Sequence, residues 1–190
     1  MNMNALKRLL VAALIATLAV ACATSPTGRR QLLIVSEESA IVSSKEAYIT
    51  TVKQLDEAGK VAKKPAVKAR VNAITGRLIT EAIKMRPDTK NWEWSVVVID
   101  DPETVNAWCM AGGRMAIYTG LLEQLKPTDD ELAQVMGHEI SHALAKHTAE
   151  KMSMQIATSV GIAVVGIASD NTNVALTGAA LAAMLAVNLP

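Results

Sequence analysis

One stretch, PTDDELAQVMGHEISHALAKH at residues 127–147, constrains this chain more than any other. Thr128 followed three residues later by Glu131 matches a capping box, in which the two residues satisfy each other's free backbone N–H groups. Leu132, Val135, Met136, Ile140, Ala143 and Leu144 then recur at helical spacing as an apolar stripe. A helix is therefore required here before any chemistry is considered.

On that helix His138 and His142 stand four residues apart, so their rings leave one face a single turn apart. Two imidazole nitrogens so placed suit one Zn²⁺ at about 2 Å. Glu139, beside the first His, is placed to take a proton from an activated water and hand it to a leaving amine. HExxH also arises by chance on solvated helices, but the capping box and the strands ahead of it speak for the metal. If the helix continues, His147 turns about 140° and about 7.5 Å away from His142, and Glu150 lies about 12 Å along. Neither is then expected as a ligand; both are expected to be solvated or to stand behind the ligands.

The remaining pattern supplies a scaffold. Ser36 with Glu37 and Glu38 starts a helix over 37–58 that ends near Gly59. Pro65 opens another, with Val67, Val71, Ile74, Leu78 and Ile79 at helical spacing, which stops before Pro87. The period then changes to two: WEWSVVVI puts Trp92, Trp94, Val96 and Val98 on one face of a half-buried strand. VNAWCM and RMAIYT read as further strands separated by the turn AGG, and GLLEQLK reads as a short helix. The elements add up to an α+β domain, mainly helical, with a small antiparallel sheet next to the HExxH helix. A net charge of +1 over 190 residues offers no basic field, so nucleic acid is not an expected partner.

The first 21 residues read as a signal peptide: a short positive start, then the uncharged run LLVAALIATLAVA. It ends in LAVAC, which resembles a lipobox, with Cys22 as the lipidated residue and Ala21 as the small residue before it. Ala19-Val20-Ala21 also suits an ordinary signal peptidase. Ala23 in place of Asp after the Cys directs a lipoprotein to the outer membrane by the usual sorting rule. If Cys22 carries lipid, Cys109 is a buried thiol without a partner; otherwise a Cys22–Cys109 disulfide is open. The expected organisation is a signal peptide at 1–21, a lipid-anchored tether at 22–35 and one domain at 36–190. Its last part, 152–190, is an apolar helical hairpin interrupted by Asp170.

NAWCMAGGRMAIYTGLLEQL followed by DDELAQVMGHEISHALAKH resembles the bacterial lipoprotein branch of peptidase family M48, the HExxH zinc-metallopeptidase group that includes HtpX-like and CAAX prenyl proteases. PTGRRQL after the Cys is similar to that branch as well. The resemblance implies a zincin-like fold, one Zn²⁺ per chain held by His138 and His142, and Glu139 as catalytic base. It carries substrate binding onto Asn106, Ala107, Gly112, Gly113, Arg114, Met115 and Ala116, with the strand from Arg114 to Thr119 as the edge along which a peptide lies. Members usually have Pro where this chain has Ala111, which implies a softer turn.

The family's third zinc ligand is a Glu in an E-x-x-x-D-type motif beyond the apolar hairpin. This sequence stops at Asn188-Leu189-Pro190, and neither Glu150 nor Asp170 stands in such a motif. The expectation is thus a domain incomplete at its C-terminus. The function implied is a zinc endopeptidase of the bacterial cell envelope, anchored by lipid at the periplasmic face of the outer membrane. Its partners would be misfolded or unassembled envelope proteins, among them outer-membrane β-barrels. The alternative is a catalytically inactive envelope lipoprotein, a chaperone or adaptor that lacks the third ligand. A membrane-spanning role for the C-terminal arms rests on their apolar character alone.

Overall fold

The structure is a computed structural model describing residues 22–24, 28–169 and 171–187. The expected signal peptide at 1–21, Asp170 and residues 188–190 lie outside the described residues. In chain order the elements are β1 (Cys22–Thr24), β2 (Arg30–Leu32), α1 (Glu37–Glu57), α2 (Pro65–Met85), a 3₁₀ turn (Pro87–Asn91) and β3 (Ser95–Ile99). They continue with β4 (Ala107–Met110), β5 (Arg114–Tyr118), α3 (Thr119–Gln124), α4 (Asp129–Leu144), α5 (His147–Ala168) and α6 (Thr172–Val187). Two compact units result, one of Ile41–Thr148 and one of the described parts of Met1–Ala40 and Ala149–Pro190.

The unit Ile41–Thr148 carries the HExxH helix. The residues that break structure do so where their chemistry demands: Gly59 takes φ +69° after α1, and Pro65 stands at the start of α2, where its missing N–H costs nothing. β5 is the middle strand of the sheet, with β3 parallel to it on one side and β4 antiparallel on the other. This corrects the wholly antiparallel sheet expected from the sequence. The chain leaves β3, crosses to the far edge as β4, and returns between the two as β5. β3's outer side is bridged by Val61, with Ala62 N–H donating to Val98 O at 2.9 Å. Among the described residues, the outer side of β4 is therefore the sheet's open edge.

α4 lies on the sheet next to β4 and alongside α2. Leu132, Met136 and Ile140 from α4, Val71 and Ile74 from α2, and Met115 and Ile117 from β5 share one core. Leu132, Met136, Met115 and Ile117 have no exposed surface at all. Each such side chain contributes about 1.5–3 kcal/mol of hydrophobic stabilisation. Trp92 and Trp94 pack against this core, as their place in the pattern implied, although the strand itself begins one residue later at Ser95. The β4–β5 turn has Gly112 and Gly113 at φ +84° and +83°. A Cβ on Gly113 would stand 2.5 Å from the Trp94 ring, so only glycine lets the indole close over the turn.

In the other unit, β1 and β2 pair antiparallel, so part of the expected tether is a two-stranded ribbon. Arg29 makes a two-pronged ion pair with Glu150, and Gln31 donates to the same carboxylate at 3.1 Å. α5 and α6 approach so closely that a Cβ on Gly166 would lie 2.1 Å from Ala175 N, and one on Gly178 would lie 2.2 Å from Ala163 N. Among the described residues no helix is long and apolar enough to cross a membrane.

Candidate active site

Both ends of α4 are held by arginines, Arg70 within α2 and Arg86 just past its end. At the N-terminus Arg70 donates to Asp129 at 2.7 Å and to Pro127 O at 2.6 Å. At the C-terminus Arg86 donates to Leu144 O at 2.8 Å, a cation on one of the carbonyls that a helix end leaves without an internal partner. The expected capping box is formed: Glu131 N–H donates to Thr128 Oγ1 at 3.3 Å, and Thr128 N–H donates back to Glu131 at 2.8 Å. The Thr128 amide, followed by its hydroxyl, holds the Glu131 carboxyl below its usual range. Two helices pinned at matching ends make α4 a fixed platform.

On that platform His138 Nε2 and His142 Nε2 stand 3.0 Å apart, with the rings nearly perpendicular at 81°. Two corners of a tetrahedron around zinc, with bonds of 2.0–2.1 Å, are about 3.3 Å apart. The pair therefore fits one zinc ion through neutral imidazole donors. Among the described residues no group of three or more His, Cys, Asp or Glu is arranged to hold a metal. Glu139 is half-buried on the same helix.

Cys109 on β4 is close enough to Glu139 to feel its charge. Burial first, and that carboxylate second, push the thiol up to about 12. The thiol is free, donates weakly to Met110 O at 3.6 Å and stays protonated at neutral pH.

The substrate residues carried over from the resemblance divide sharply. Arg114, Met115 and Ala116 do not lie on an edge. They belong to the central strand, paired on both sides, and all three are buried. Arg114 pairs instead with Glu93 at 2.5 Å, and Lys45 donates to the same carboxylate at 2.6 Å. Gly112 and Gly113 are buried in the turn, where Gly113 O accepts from Ser95 N–H at 3.2 Å. Asn106 and Ala107 do sit at the open edge. Tyr118 N–H donates to Asn106 O at 3.1 Å, which sets the antiparallel alternation. The main-chain groups of Ala107 and Cys109 then point to the outer side. Ala107 N–H is taken by Asn106 Oδ1 at 2.9 Å, leaving Ala107 C=O and both groups of Cys109 facing out. Cys22 lies in β1, and its lipidation is untouched by this geometry.

His147 stands behind His142, one of the two places expected for it, but reaches it through a break in the helix. α4 ends at Leu144 and Lys146 takes φ +61°, so the helix does not continue. The break brings His147 Nδ1 to 2.5 Å from His142 Nδ1. The αL residue is a lysine, so the glycine that usually marks such a stop is missing from the sequence.

A family model described as Peptidase family M48 matches residues 65–189. The chain belongs to Peptidase family M48. The match takes in α2, the sheet, the His138–His142 pair and the described hairpin. Among relatives, the mitochondrial metalloendopeptidase OMA1 of Arabidopsis thaliana is 43% identical over 63 residues, covering 33% of this chain and 13% of the relative. The mitochondrial metalloendopeptidase OMA1 of Bos taurus is 33% identical over 129 residues, covering 67% of this chain and 24% of the relative. A putative beta-barrel assembly-enhancing protease of Vibrio cholerae is 33% identical over 85 residues, covering 41% of this chain and 17% of the relative. The chain thus spans well under a third of the length of each of these relatives. No solved structure matches it significantly. As an M48 member it falls among metal-dependent hydrolases that act on peptides.

Proposed function

We propose that this chain is a zinc-dependent endopeptidase of the bacterial cell envelope that cleaves misfolded or unassembled envelope proteins. The observation that carries the reading is the His138–His142 pair, 3.0 Å apart at Nε2, with Glu139 beside it on a helix pinned at both ends. His138 Nε2 and His142 Nε2 would hold the zinc ion, which would supply Lewis-acid chemistry at the scissile carbonyl. The Glu139 carboxylate would take a proton from a water as its oxygen bonds to the scissile carbonyl carbon, and would give that proton to the amide nitrogen as the C–N bond breaks. The open edge of β4, through Ala107 C=O and the N–H and C=O of Cys109, pairs with an extended substrate main chain. Such pairing selects backbone that is free to extend, which favours unfolded protein over any one side-chain sequence. The Cys109 thiol, pushed up to about 12 by burial and then by Glu139, stays protonated at neutral pH and is a poor nucleophile.

The envelope location rests on the signal-like 1–21 and on Cys22 as lipid attachment site, facing the periplasm from the outer membrane. The Vibrio cholerae relative is named for enhancing β-barrel assembly, which favours β-barrel proteins among the partners. The reading is tested by incubating the purified chain and Zn²⁺ with an outer-membrane β-barrel protein, unfolded or folded in detergent. Cleavage of the unfolded form, lost in Glu139→Gln, is expected. Equal cleavage by Glu139→Gln, or none by the unaltered chain, would contradict it.

A further inference from the structure

We propose that His147 is a positioning residue for His142, an inference that rests on reading His142 as a zinc ligand. The two nitrogens of the His142 ring face different neighbours. Nε2 faces His138 Nε2 at 3.0 Å, and Nδ1 faces His147 Nδ1 at 2.5 Å. Two ring nitrogens that close must share a proton, since two lone pairs would repel. His142 Nε2 keeps its lone pair for the metal, so the ring's proton sits on Nδ1 and is donated to His147 Nδ1. His147 then carries its own proton on Nε2. The contact selects one tautomer of His142 and fixes the angle of its ring, as a hydrogen-bond acceptor behind a metal-bound histidine does.

The backbone is built to make this contact. On an unbroken helix two residues five apart point about 140° away from each other. Here Ala145 N–H donates to Ser141 O at 2.9 Å and Lys146 N–H to Ala143 O at 3.1 Å, while Lys146 swings to φ +61°. Arg86 holds Leu144 O at the last turn. The chain therefore restarts as α5 with His147 turned back toward His142. His147 is not itself a ligand of the same ion, because its Nδ1 lies at the opposite nitrogen of the His142 ring from His138.

The test compares the unaltered chain with His147→Asn, whose Oδ1 offers an acceptor where Nδ1 stands, and His147→Leu, which offers none. Two readouts are taken: Zn²⁺ affinity by chelator competition, and the His142 tautomer of the metal-free chain by long-range ¹⁵N–¹H NMR. His147→Leu should bind Zn²⁺ about 10–100-fold more weakly and lose the Nδ1–H tautomer, while His147→Asn recovers most of both. Should His147→Leu fail to fold, the tautomers of the unaltered chain and His147→Asn decide. Full Zn²⁺ affinity in His147→Leu, an Asn variant no better than Leu, or an Nε2–H tautomer in the unaltered chain overturns the proposal. A chain that shows the Nδ1–H tautomer, dependent on His147, yet binds no Zn²⁺ sinks the zinc reading while the positioning contact stands.

Discussion

α4 and the α5–α6 hairpin are both helical, yet they are stabilised in opposite ways. α4 buries its large residues: Leu132 and Met136 are 0% exposed and Ile140 is 3%. The hairpin leaves Val165 and Leu176 each 62% exposed and instead brings backbones together at Gly166 and Gly178. One is held by side-chain volume and by side-chain bonds at its ends, the other by the absence of side chains at its contact. A site that must keep two imidazoles 3.0 Å apart belongs on the first kind of helix, because a filled core resists small displacements.

That contrast can be broken from either side. Removing volume from α4 should cost most: Met136→Ala leaves a cavity in the core and should lower stability by about 2–5 kcal/mol in urea unfolding. Adding volume to the hairpin comes next. Gly166→Val must move the backbone at Ala175, and should cost about 1–3 kcal/mol, whereas Gly166→Ser should cost less by the same measurement.

A smaller effect falls on the helix start. Thr128→Ala removes half the capping box and should cost about 1 kcal/mol. The Glu131 carboxyl is held low by Thr128, so its contribution is present above the unfolded glutamate value of about 4.3 and is lost as pH falls through the lower folded value. Thr128→Ala keeps the amide and removes only the hydroxyl, the lesser cause, so it should flatten only part of the loss of stability seen below about pH 4.3. The smallest effect is expected at Val165→Ser, within about 0.5 kcal/mol, because that side chain is mostly outside already. A large loss at Val165 would mean the hairpin relies on buried side chains after all.

The sequence made the helices and their boundaries legible through local chemistry. Glu37, Gly59, Pro65, Pro87 and the Thr128–Glu131 box each act within a turn or two of their own position, and the structure places the elements accordingly. The HExxH face was legible for the same reason. Strand order was not. Nothing near Arg114 to Tyr118 signals that β3, twenty residues back, pairs with it in parallel, so a strand expected at the edge lies at the centre. The Lys146 turn was hidden too: a lysine in the left-handed region is an uncommon stop for a helix, costing about 1–2 kcal/mol relative to glycine. An unbroken helix would have pointed His147 away from His142, whereas the turn sets it directly behind that ring.

The metal is the centre of this account, and metal content tests it most directly. Native mass spectrometry of the Zn²⁺-loaded chain should show one zinc per molecule, kept in Glu139→Gln and lost in His138→Ala and in His142→Ala. A chain that takes up no zinc, or one whose zinc survives loss of both histidines, would contradict the site at its foundation.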